Sequence, residues 1–316
     1  MAKLNFGTGG VPLSSSSQKT EDGIKRIKEL GLDHMELEFV HGVRIDENRA
    51  MEISKVGEKT GVTLSVHGPY YINLASENNR TFYGSIGQIV ESVLIGGLAG
   101  AASVTFHPAF YQGKSAEETF AFVKKALEKV FEELKQDKYK DHPFNRGKIK
   151  VAPELTGKPS QFGDIEELIR LVQELHSEEI AFCFDFAHKF ARSNGKFNSY
   201  DDYIGLLTLI EDGIGPKYLE CLHIHVSSII HSEKGERNHV TMLRNYEEYV
   251  NEGISVEGFD NIMRKLEEKG RTVRSEFNWR DLLRALKDKN VGGYLVCESP
   301  NLELDALLMQ QYYKNL

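Results

Sequence analysis

The stretch SVTFHPAFYQGKSAEETFAFVKKALEKVFEEL, residues 103–134, decides the fold. It opens on a β-rich run, Ser103–His107, and passes through a polar loop into a helix. Phe120, Val123, Ala126, Leu127, Val130 and Leu134 recur at 3–4 residue spacing, so Ala116–Leu134 carries a single apolar stripe. The same strand–loop–helix unit recurs on both sides. Strand-like runs stand at Lys3–Gly7, His34–Phe39, Val62–His67, Ile149–Glu154, Ile180–Asp185, Leu219–His225 and Gly293–Glu298, which makes eight with the first. Asp164 is placed to cap a helix whose Ile165, Leu168, Ile169 and Val172 share one face. Eight such alternations predict an α/β protein, a single (β/α)8 TIM barrel. A doubly wound open sheet would want a GxGxxG turn after an early strand. Phe6-Gly7-Thr8-Gly9-Gly10-Val11 has the glycines without that spacing.

The longest gap separates the last two strands, Leu219 to Gly293. Its excess, residues 226–290, reads as an insertion between strands seven and eight, with a helix near Asn261–Lys269. A smaller basic loop, Lys138–Lys150, precedes strand five. There is no repeat or linker, so residues 1–316 read as one domain. Of the 316 residues, 40% are hydrophobic and 27% charged, which excludes a disordered chain. Three cysteines exclude a disulfide framework and fit a reducing, cytoplasmic setting. No apolar run is long enough to span a membrane, and Met1–Gly7 has no apolar leader core. The net charge of −8 argues against a non-specific nucleic-acid coat. It leaves room for a nucleic-acid enzyme, because bound metal ions add charge that composition does not count.

The strand ends carry the chemistry. Strand three ends in His67, strand four in His107, strand five in Glu154 and strand six in Asp185, with His188 one helical turn on. Strand seven carries His223 and His225, and strand eight ends in Glu298. In barrels of this kind the site lies at the carboxyl ends of the strands. One histidine there is more often a hydrogen-bonded core or loop side chain than a ligand. Six consecutive strands ending in His, Asp or Glu need something positive to join them. Mixed imidazole and carboxylate donors suit Zn2+, with Mn2+ or Fe2+ as alternatives. Cys183 and Cys221 precede Asp185 and His223 by two residues, so period-two alternation points both inward, as thiolate ligands or, more often one layer deeper, as small apolar filler. Cys297 should face the helices.

These residues resemble the endonuclease IV family of apurinic/apyrimidinic DNA endonucleases, in its archaeal form. The resemblance runs through His67-Gly68-Pro69-Tyr70-Tyr71-Ile72-Asn73-Leu74-Ala75-Ser76, Phe106-His107-Pro108, Pro153-Glu154-Leu155-Thr156-Gly157, Cys183-Phe184-Asp185-Phe186-Ala187-His188, Leu222-His223-Ile224-His225, Gly235-Glu236-Arg237-Asn238-His239 and Cys297-Glu298-Ser299-Pro300. It implies a TIM barrel with two or three Zn2+ ions that hydrolyses the phosphodiester 5′ to an abasic site and leaves a 3′ hydroxyl. By position it implies metal ligands His67, His107, Glu154, Asp185, His188, His223 and Glu298. The family's further Asp-x-His pair falls on Glu236 and Asn238 without a gap, or on Glu236 and His239 after a one-residue shift. The second is favoured because Asn in place of His weakens a zinc site. His225 and His231 are spare imidazoles nearby.

The resemblance also implies a mechanism. Metal ions acidify water, neutralise phosphate oxygens and stabilise the leaving oxygen. Glu154 and Glu298 are the expected catalytic carboxylates, with Glu154 accepting the proton of the attacking water. The expected partner is double-stranded DNA bearing abasic sites, engaged by a monomer with no membrane. An abasic nucleotide costs less to extrude than a stacked one. Tyr70 or Tyr71 can wedge into the stack or pack under their loop, while Gly9, Gly10 and Asn73 are placed for phosphate contacts. Lys114, Lys158, Lys189 and Arg192 follow strand ends and either offset the acidic total or are merely solvated. Two rival readings stand beside this one. A sugar isomerase or epimerase would need only Glu154, Asp185, His223 and Glu298. A non-catalytic DNA-lesion binder would account for Asn238.

Overall fold

The structure, a computed structural model, describes residues 2–316. Eight parallel strands form one sheet: β1 Leu4–Gly9, β2 His34–Glu38, β3 Thr63–His67, β4 Ala101–Phe106, β5 Lys150–Pro153, β6 Cys183–Asp185, β7 Leu222–Val226 and β8 Gly293–Cys297. Their order in the sheet is β5-β4-β3-β2-β1-β8-β7-β6. Isolated parallel bridges Val151–Ile180 and Glu154–Cys183 supply the remaining pairing, from β5 to the start of β6. The fold is therefore the α/β TIM barrel class. Among the described residues, no helix is long and apolar enough to cross a membrane.

Strand bounds differ from the sequence expectation by a few residues. Two differences matter. Ile180 makes only a single bridge, so β6 is three residues long. Residues Pro216–Cys221 form a 3-10 turn, opened by Pro216 with its fixed φ, and β7 starts only at Leu222. Cys221 is therefore exposed and does not point inward as the alternation predicted.

The chain divides into two compact units, Glu36–Cys183 and the pair of segments Met1–Met35 and Phe184–Leu316. In Glu36–Cys183, β4 lies between β3 and β5, with His67 beside Thr105 and Phe106 beside Pro153. Val66, Val104, Phe106 and Val151 are buried. Helix Ala116–Leu134 begins where the stripe predicts, at a capping box made by Ser115 and Glu118. Helix Asn79–Leu98 lies close to the sheet at Gly96, where a Cβ would sit 2.9 Å from Val66 Cγ2. Asp164 caps helix Ile165–Leu175 as expected.

In the other unit β8 lies between β1 and β7, pairing Leu4 with Gly293 and Gly293 with Leu222. Residues 226–290 fold as an antiparallel hairpin, Ser228–Ser232 with Gly235–Val240, followed by helices Tyr246–Asn251, Phe259–Glu268 and Trp279–Asp288. This segment is tied down by a buried polar clamp. Asp305 accepts from Met242 N–H (2.9 Å) and from the Tyr249 hydroxyl. Tyr249 in turn accepts from Leu243 N–H at 3.1 Å.

Candidate metal centre

Within Glu36–Cys183 three predicted ligands meet. His67 is the last residue of β3, and Gly68 extends the pairing with β4 by donating its N–H to Thr105 O at 2.7 Å. His107 follows β4 and is followed by Pro108, while Glu154 follows Pro153, the last residue of β5, and donates its N–H to Phe106 O at 3.0 Å. Glu154 is fully buried. Its two oxygens face two imidazoles: His67 Nε2 lies 3.4 Å from Oε2 and His107 Nε2 3.4 Å from Oε1. One ligand atom from each of the three residues lies within 4.8 Å of the others. His67 Nδ1 sits 2.8 Å from the Gly68 carbonyl, which fixes that nitrogen as donor and leaves Nε2 turned toward Glu154. A backbone carbonyl behind the ring is the support a metal-binding histidine usually has. Burial alone would lower the His67 pKa. The Glu154 bond and charge, with Glu38 and Glu36 behind them, outweigh it and raise it to about 10.

Within Phe184–Leu316 a second set assembles. Asp185 ends β6 and caps helix Phe186–Arg192, accepting from His188 N–H at 2.7 Å. That cap places His188 Nδ1 3.3 Å from Asp185 Oδ2, while its Nε2 is 2.6 Å from Glu236 Oε2. Period-two alternation puts His223 and His225 on one face of β7, with their Nε2 atoms 3.1 Å apart. His225 Nδ1 lies 3.3 Å from Glu298 Oε1. His239 Nδ1 is 3.2 Å from the Glu298 carbonyl, and desolvation holds its pKa below the ordinary histidine range. Asp185, His188 and His239 bring ligand atoms within 4.8 Å of one another.

The choice between Asn238 and His239 has a structural cause. In the hairpin Ile230 pairs with Asn238 but His231 pairs with Glu236, so Arg237 is an extra, bulged residue. A bulge breaks the alternation, and Glu236 and His239 come to share a face. Both are half-buried, whereas Arg237 and Asn238 are exposed.

The other sequence candidates fall as follows. Tyr70 and Tyr71 are 54% and 66% exposed, so neither packs under its loop. Asn73 is buried, and its side-chain oxygen accepts from Ala75 N–H at 3.2 Å and Phe110 N–H at 3.4 Å. It is thus a strut of its own loop. Gly9 ends β1 and Gly10 follows it, both half-buried, and Gly10 has φ +97, a conformation that suits glycine. Lys114 pairs with Glu77 at 3.1 Å. Cys183 and Cys297 are buried, and burial pushes the Cys297 thiol well up, which disfavours a thiolate there. His225, one of the spare imidazoles, shares a face of β7 with His223 and reaches Glu298, and its two-residue spacing from His223 was the signal for that face.

Comparison with known proteins gives a consistent pattern. A family described as xylose isomerase-like TIM barrel matches residues 24–315. An uncharacterized protein of Methanocaldococcus jannaschii is 34% identical over 99% of this chain and 98% of its own length. A probable endonuclease 4 of Bacillus subtilis is 26% identical over 55% of this chain and 55% of that protein. This chain thus spans about half the length of that relative. Two solved structures share the fold: endonuclease IV of Thermus thermophilus (TM-score 0.64, 16% identity, 98% of each chain) and a D-tagatose 3-epimerase-like protein (TM-score 0.63, 16% identity, 98% of this chain and 96% of that one).

Proposed function

The chain belongs to the xylose isomerase-like TIM barrel family, and within it we propose a metal-dependent hydrolase that cuts DNA on the 5′ side of abasic sites and leaves a 3′ hydroxyl. One observation carries the reading: Glu154 lies between His67 and His107. A sugar epimerase built on Glu154, Asp185, His223 and Glu298 has no use for those two imidazoles. The partly matching endonuclease 4 relatives support the same choice.

The donor sets fit divalent cations of the zinc type: imidazoles and carboxylates within reach of one another, with ring orientation fixed from behind. We assign one cation to His67, His107 and Glu154. Asp185, His188, Glu236 and His239 hold another, and His223 and Glu298 complete the ligand set. When bound, these ions supply neutralisation of the phosphate and a more acidic attacking water. Glu154 accepts the proton of that water. Glu298, braced by His225, is the second catalytic carboxylate of this reading. Tyr70 and Tyr71, exposed beside His67, enter the gap left by the missing base.

The test is incision of a duplex carrying one abasic site. Metal-loaded protein should nick the lesion strand 5′ to the site, spare the intact duplex and lose activity to a chelator. Failure of the loaded protein to nick, together with epimerisation of a ketose, would transfer the chain to the sugar branch of its family.

A further inference from the structure

A cavity of about 560 Å³ lies beside the ligands that follow β7 and β8. Arg237, Lys269 and Arg271 line it together with Glu236, His239 and Glu298. The three cations come from separate places in the 226–290 segment. Arg237 is the bulged residue of the hairpin, Lys269 is the C-cap of helix Phe259–Glu268, and Arg271 follows two residues later. Among the described residues, neither the Arg237 nor the Lys269 side chain makes a hydrogen bond or ion pair. The Arg271 side chain donates one bond, from Nη1 to the His239 carbonyl at 3.0 Å. Arg170, by contrast, is neutralised by Glu117 and Glu174, and Arg244 by Glu248. The carboxylates of the cavity are already engaged, Glu236 with His188 and Glu298 with His225.

Three cations on one cavity repel each other unless an anion joins them. A guanidinium presents a planar fork that matches a phosphate, and an ammonium adds a point charge. We propose that Arg237 and Lys269 bind a phosphate group presented next to the candidate metal ligands, namely a backbone phosphate neighbouring the one that is cleaved. Arg271 acts as a positioning residue that ties the cavity wall to the carbonyl of His239. The identity of the phosphate as part of a DNA strand rests on the nuclease reading above; the anion site itself does not.

The experiment measures binding of a fluorescent abasic duplex across a salt series, with full-length, metal-replete protein carrying Glu154→Gln so that the duplex stays intact. Adding Arg237→Gln and Lys269→Gln together should reduce the slope of log K against log salt by about one, since the pair holds one phosphate and each lost phosphate contact removes roughly one. Affinity at low salt should fall more than tenfold. The pair Lys55→Gln and Lys125→Gln, exposed on helices elsewhere, should leave the slope unchanged. A thermal-shift arm with inorganic phosphate separates the two readings. If the parent ignores the duplex but phosphate raises its melting temperature, and the Arg237/Lys269 variant loses that rise, the anion site stands and its ligand is a small phosphorylated molecule. If the variant matches its parent in both salt slope and phosphate shift, the proposal is overturned.

Discussion

Asn238 and His239 stand side by side, and only a bulge at Arg237 distinguishes them. The account assigns His239 as a ligand, so His239→Ala should remove about one metal ion per chain. Asn238→Ala should remove none. Metal analysis of both purified variants decides this, and equal losses would contradict the assignment. Glu154→Gln keeps the size of the side chain but removes the proton acceptor. It should retain the fold and lower incision by at least about 10²-fold, the usual scale for a lost general base. Near-normal incision would take Glu154 out of the chemistry. His67, His107 and Glu154 were legible in the sequence because each ends a strand beside a proline or a Gly-Pro pair. His239 was preferred to Asn238 on ligand chemistry alone; the bulge that gives it a face shared with Glu236 was not legible, because it depends on pairing between Ser228–Ser232 and Gly235–Val240 that no single strand encodes. Cys221 was misplaced for a similar reason: a 3-10 turn opened by Pro216 replaces the strand start.

At the level of elements, the helix of residues 116–134 followed directly from its stripe and cap, and Asp164 from its chemistry. The hairpin after β7 did not. Its strands carry Ser, His, Glu, Arg and Asn, and show no apolar alternation to read. The basic loop before β5 likewise hid two 3-10 turns, Asp137–Tyr139 and Pro143–Arg146. His142 caps the second of them. Its Nδ1 accepts from Phe144 N–H at 3.1 Å and its Nε2 donates to Leu94 O at 2.8 Å, a pattern that only the neutral ring can make. Burial accordingly holds its pKa below the ordinary 6.5. The sign follows from linkage: below pH 6.5 the unfolded chain takes up a proton that the folded chain refuses. This contribution is therefore fully present above that pH and lost as pH falls through the window beneath it. Denaturation between pH 7.5 and 5.5 should show a steeper loss of stability in the wild type than in His142→Gln. Parallel pH profiles would refute the assignment.

For the whole molecule, the repeat of strand and helix was enough to give the barrel class. Apolar period and chain breakers are local signals, and eight of them in succession leave few topologies. The chemistry was less complete, because it depends on which side chains face each other across long separations in sequence. Each compact unit turns out to hold its own set of metal-type donors: His67, His107 and Glu154 in one, Asp185, His188 and His239 in the other. In a chain with a net charge of −8, the proposed engagement of DNA would rest on such local features and not on the total. The central claim is that these imidazoles and carboxylates trap several cations. Elemental analysis of the full-length protein, purified without chelator and matched to its concentration, tests it most directly. The account predicts two or three zinc-type ions per chain, with fewer in His67→Ala. A preparation holding no transition metal, or a single Mn2+ unaffected by His67→Ala, would contradict it.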